Sequence, residues 1–271
     1  MGAKIFGWEH IVYLALTLIA TGVIIFFVAR KAKKTSGDGF LRTTTLVTGI
    51  VFLCAIAANR ISCAVAFKDA TALLPKSLCG TVSVFFSLVL IFGKKNNAAL
   101  QFISTTALLT GAITIFYPDF IGQLNYAGEA TGFLYMPTIT GIFHHSMQLF
   151  AALLVLITGY CRLEIKRWAV APVGLAFFMV YGRLLSDAFN IANSIDAQLL
   201  NGVTFTSWYI IELIYLSLYT AALLIADTLT VPKEQRFLTK LFSFFKRVFH
   251  LTPNDGGQRD GGIDRSIPPS L

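Results

Sequence analysis

The sequence predicts an all-α polytopic membrane protein, a bundle of seven transmembrane helices, and three observations carry that prediction. Of its 271 residues, 55% are hydrophobic and only 13% charged, with a mean hydropathy of +0.69, a balance that soluble domains do not reach. Apolar runs of about 20 residues, the length that crosses a ~30 Å hydrocarbon core, recur along the whole chain. The formal net charge of +8 is not gathered on one folded face, as nucleic-acid binding requires; it sits in short loops and a tail.

The runs fall at residues 10–29, 44–67, 73–93, 97–117, 138–160, 168–191 and 208–229. Seventeen of the 22 Lys and Arg lie between spans one and two, three and four, five and six, or after the seventh; Lys4, Lys68 and Lys76 lie on the other side, and Arg60 and Arg183 within spans. The positive-inside bias therefore predicts an outside N-terminus, a cytoplasmic C-terminus and a multi-pass protein of the plasma membrane. The first span is followed by a basic cluster that stops transfer, so it reads as a helix of the mature protein and not a signal peptide.

Each span has its own signals. Trp8 opens the first as an interfacial aromatic, beside Glu9 and His10. The second is apolar until Asn59-Arg60, which puts Arg60 on the order of 10 Å below its outer end. Pro75 is expected in the first turn of the third, where its missing N–H breaks no bond, with Cys79 just inside. Tyr117-Pro118-Asp119 ends the fourth, and a Gly-, Tyr- and Phe-rich loop to residue 137 is expected to fold over the outer face. His144-His145 stand in the first turns of the fifth. Arg183, Asp187 and Asn190 lie near the outer end of the sixth, and Glu212 lies one turn below Trp208 in the seventh. The predicted transmembrane domain is thus 1–232. Residues 233–253, rich in Phe, Lys and Arg, read as a basic amphipathic helix on the membrane surface, and 254–271 as a disordered tail.

An ionisable side chain inside a bilayer costs at least ~2.5–3.5 kcal/mol on insertion scales and calls for a partner or a job. Here Arg60, His144, His145, Arg183, Asp187 and Glu212 fall at comparable depth, with Cys79 level and His10 at the mouth. Three readings of Cys79 stand: a small buried hydrophobe, a nucleophile activated by an imidazole and a nearby arginine, or half of a disulfide with Cys63. His144 and His145 point about 100° apart on a helix, so one can serve as base while the other packs. Arg183 and Asp187, at i and i+4, can neutralise each other, and Glu212 can pair with Arg60 or orient a histidine. The seventh span has no lysine for a retinal Schiff base, and neither metal-ligand spacing, a phosphate-binding Gly-rich loop nor a serine nucleophile elbow occurs; no cofactor is called for.

On Phe6…His10, Arg60, Leu74-Pro75…Leu78-Cys79, Tyr117-Pro118-Asp119, His144-His145 and Asn190…Asn193, the chain resembles the YwaF-like bacterial integral membrane family, relatives of transmembrane protein 164. The resemblance implies a seven-helix bundle in a bacterial cell membrane. From the eukaryotic relatives it implies a phospholipid acyltransferase with Cys79 as acyl-carrying nucleophile and His144 or His145 as base. The expected partners are membrane lipids. Two other classes compete with the enzyme: a small-solute transporter whose polar residues bind substrate and protons, and a structural protein whose polar residues only lock helices together.

Overall fold

The computed structural model describes residues 6–35, 38–116, 135–191 and 205–248, without the side chains of 205–212. The loop from Tyr117 to residue 134, Asn193, the side chains of Trp208 and Glu212, and the tail 254–271 lie outside the described residues. All described elements are helical: α1 Trp8–Lys34, α2 Asp38–Phe67, α3 Leu78–Phe92, α4 Ala98–Phe116, α5 Met136–Ile157, α6 Val170–Phe189, α7 Phe205–Thr230 and α8 Phe237–Val248, with short 3-10 turns between some of them. Six of these, all but α3 and α8, contain stretches long and apolar enough to cross a membrane.

The third span differs from the sequence expectation. Pro75 is not in the first turn of the helix: residues 70–73 form a 3-10 turn, the chain is extended at Leu74 and Ser77, and the helix starts at Leu78. Ser77 wins the N-cap because its hydroxyl accepts the Gly80 N–H at 3.1 Å, a contact worth about 1 kcal/mol. The Thr81 hydroxyl ties the extended stretch down by donating to the Pro75 carbonyl at 2.6 Å. At 15 residues α3 is about 22 Å long, shorter than a hydrocarbon core. Its far end is closed by Arg42, which donates to the Leu90 and Ile91 carbonyls at 2.8 and 2.5 Å and sets a cation against the helix C-terminus.

The chain divides into two compact units, Met1–Ala226 and Asp227–Leu271. In the first, α2, α3, α4 and α5 pack most closely on one another, and α1 and α6 touch that group along one edge each. Lipid gives helices no hydrophobic reason to associate, so close approach and interhelical hydrogen bonds hold them. Gly111 supplies one close approach: a Cβ there would stand 3.2 Å from the Leu149 backbone nitrogen of α5. Phe52, Val82, Phe86, Leu90, Ala107 and Val155 are wholly buried at the centre.

In the second unit the Phe237 N–H donates to Asp227 at 2.8 Å, which caps α8. Leu238, Leu241, Phe242 and Phe245 form an apolar stripe, with Phe242 71% exposed, opposite Lys240, Ser243 and Arg247. The helix is narrower than the 233–253 read from the sequence; Lys233–Gln235 is a 3-10 turn instead.

Candidate functional site

Cys79 is the second residue of α3 and is 5% exposed. Helix geometry leaves the N–H groups of that first turn without intrahelical acceptors. The thiol lies 3.5 Å from Thr114 Oγ1 on α4. Thr114 gives its own proton to the Thr110 carbonyl at 2.8 Å, so it receives the thiol proton. All four cysteines are free, so the Cys63–Cys79 disulfide reading is corrected.

One helical turn further, Ser83 meets both α5 and its own helix. Its hydroxyl lies 2.7 Å from His144 Nε2, 2.8 Å from the Cys79 carbonyl oxygen and 3.1 Å from Gln148 Oε1. Serine has one proton, and the two oxygens can only accept it. Ser83 therefore gives its proton to one of them, and His144 donates Nε2–H to Ser83. The bare lone pair is then on Nδ1 of His144, a buried atom without a hydrogen-bond partner among the described residues.

Gln148 assigns the second histidine. Its Nε2 donates to Thr110 Oγ1 at 2.6 Å, because Thr110 has already given its proton to the Thr106 carbonyl. Its Oε1 therefore faces His145 Nδ1 at 3.2 Å, and that nitrogen donates. The two rings stack with centroids 4.4 Å apart, yet carry their protons on different nitrogens. The expected direct bond from thiol to imidazole is not made; Thr114 and Ser83 take its place.

Arg60 completes the centre. Its guanidinium lies against Gly80, where a Cβ would collide with it, so only glycine admits the cation to the start of α3. It stands within electrostatic range of Cys79, Cys63 and Tyr181, and of both histidines. Its Nε is buried with no hydrogen-bond partner among the described residues. Neighbouring Asn59 instead reaches α5, donating to Thr140 Oγ1 at 3.3 Å.

The remaining candidates stand apart. His10 accepts the Phe6 N–H at Nδ1 (3.0 Å) and lies 2.8 Å from the Ile115 carbonyl through Nε2, so both nitrogens are spent on backbone and the ring is a joint between α1 and α4. Arg183 Nε donates to Asp187 Oδ2 at 2.8 Å, the two side chains 71% and 59% exposed. The bundle-facing stripe of α6 is Ala171, Phe178, Gly182 and Leu185, a different face. Beside the site, Asp69 caps the turn before α3. Bonds from Thr71, and after them the Lys76 ammonium at 3.3 Å, hold its carboxyl below the usual aspartate range.

Sequence reasoning missed Ser83, Thr110, Thr114 and Gln148, which are neutral residues of the kind helices in lipid tolerate. Their signal was spacing: Cys79 with Ser83, His144 with Gln148, and Thr106, Thr110 and Thr114 all recur at i+4 on one face.

Fold and site together define a multi-pass helical membrane protein that buries a thiol, two imidazoles and a guanidinium at one end of its bundle. Within that class the chain belongs to the TMEM164 family, whose model matches residues 5–226 and stops where the second compact unit begins. Searches of curated proteins and of solved structures find no match.

Proposed function

We propose that the protein is a membrane-embedded acyltransferase in which Cys79 carries the acyl group, in a bundle that crosses the membrane seven times with its C-terminus cytoplasmic. One observation carries the reading: the two buried polar atoms left without partners beside Cys79, Arg60 Nε and His144 Nδ1, are a hydrogen-bond donor and a base. A membrane interior penalises such orphans by several kcal/mol each, so a ligand is their natural complement.

On this reading Arg60 takes the phosphate or ester oxygen of a phospholipid, a task suited to a planar, always charged group. The Cys79 sulfur attacks the ester carbon; the C–S bond forms and the C–O bond breaks. The thiol proton leaves Thr114 for His144 Nδ1 and passes to the departing glycerol oxygen. First-turn N–H groups of α3 face the developing oxyanion. A hydroxyl of a second lipid then attacks the thioester, its proton taken by His144 and returned to sulfur.

The test is incubation of the full chain in nanodiscs with a phospholipid bearing an alkyne-tagged acyl chain. Wild type should acquire a hydroxylamine-sensitive label that Cys79→Ala lacks. Equal labelling of the two proteins, or none in either, overturns the proposal. Proton-coupled solute uptake that survives Cys79→Ser would favour a transporter instead.

A further inference from the structure

We infer that the apolar groove between α3, α4 and α6 holds the acyl chain of a membrane phospholipid whose polar end sits at Arg60; the inference rests on the acyl-transfer reading for its direction and on the groove's own geometry for its place. The groove has a volume of about 490 Å³ and is walled by Phe85 and Val89 of α3, Ala99 and Phe102 of α4, and Val173 and Phe177 of α6 among others. No ionisable side chain lines it.

Its position follows from α3. Phe85 lies about 7–8 Å below Gly80 along the helix, and Val89 about 6 Å further. Phe85 is also the link to the polar site: Tyr181 meets its ring edge-on at 6.0 Å, and Tyr181 stands within electrostatic range of Arg60. Phe177 closes on the same ring at 5.1 Å. A continuous line therefore runs from the unpartnered guanidinium, past Tyr181 and Phe85, into the groove. The line is polar at the Cys79 end and purely hydrocarbon below.

The occupant follows from that polarity. An apolar cavity does not hold water, and close packing leaves no large void without cost. A free fatty chain would leave Arg60 unmatched, whereas a phospholipid supplies both an anionic group and a chain. The chain-bearing face of α3 differs from the face that carries Cys79 and Ser83, so the ester must turn around the helix start at Gly80, the one residue there with no side chain in the way.

The experiment uses the full chain in nanodiscs with a phosphatidylcholine bearing a diazirine in one acyl chain. In wild type, photocrosslinks should concentrate on Phe85, Val89, Phe102 and Val173. Ala99→Trp and Val173→Trp, both at exposed wall positions, should cut that yield about ten-fold or more. Val180→Trp, equally exposed on α6 but outside the groove, should leave it unchanged. Crosslinks that survive both filling variants, or spread evenly over lipid-facing residues, overturn the inference. Cys79→Ala separates the two proposals: crosslinking retained while acyl labelling fails in wild type leaves the groove standing without acyl transfer, and labelling with no groove crosslink does the reverse.

Discussion

The two ends of the bundle handle buried polarity in opposite ways. At the basic end, Gln101 is wholly buried, donates to the Tyr219 hydroxyl at 2.8 Å and the Glu164 carbonyl at 3.2 Å, and accepts the Glu164 N–H at 3.0 Å. Glu164 meets Lys166 at 2.7 Å, Asn96 at 2.7 Å and Arg167 at 3.5 Å, and Arg42 spends itself on two carbonyls. The orphan among the described residues there is neutral, the Tyr160 hydroxyl. At the Cys79 end the orphans are a guanidinium nitrogen and an imidazole nitrogen. Polar groups that only hold a fold together are matched within it; groups kept for a ligand are matched by the ligand.

The contrast breaks most sharply at Cys79 and His144. Cys79→Ala should abolish acyl labelling, and His144→Gln should lower its rate by ~10²–10⁴-fold, as expected for a lost general base. Both should leave the thermal midpoint in detergent near that of wild type. If either unfolds the bundle, the Cys79 end is structural after all.

Next in size is Ser83→Ala. It removes the group that holds the His144 proton on Nε2, and the rate should fall by ~10–100-fold, in line with other orienting partners. Nitrogen NMR of His144 should show the loss of a single tautomer. An unchanged tautomer with an unchanged rate would remove Ser83 from the site.

At the other end the order of effects reverses. Gln101→Ala leaves the Tyr219 hydroxyl and the Glu164 backbone without their partner and should cost about 1–3 kcal/mol of stability, read by thermal unfolding, with acyl labelling per folded molecule unchanged. A loss of labelling larger than the loss of folded protein would erase the distinction between the ends.

The smallest effect is one of pH. Burial pushes the Glu164 carboxyl up, but Lys166, Asn96 and Arg167 outweigh it and hold it below its ordinary 4.5. A depressed carboxyl contributes stability that is fully present above that value and lost as pH falls through the folded one. Glu164→Gln should therefore flatten the acid side of the stability curve below about pH 4.5 and leave neutral pH little changed. An acid slope identical to wild type would show that this network does not matter to the fold.

Much of this was legible beforehand. Arg60, Cys79 and the two histidines stand out because a charge or thiol in an apolar span is conspicuous in one dimension. Ser83, Thr114 and Gln148 did not stand out, since hydroxyls and amides are common in spanning helices and only their i+4 spacing marks a face. The start of α3 was misjudged because proline is acceptable both inside a first turn and just before one, and it was the Ser77 cap, with Thr81 holding the Pro75 carbonyl, that decided between them.

By itself the sequence determined a helical membrane protein, the spans within a few residues and the depth of each ionisable group, because hydropathy and helical rise act along the chain. Direction around each helix axis is another matter, set by which neighbour packs against which face. Only the tertiary structure turned Arg183 and Asp187 outward to each other, gave His10 to backbone, and set Arg60 against Gly80 beside Cys79.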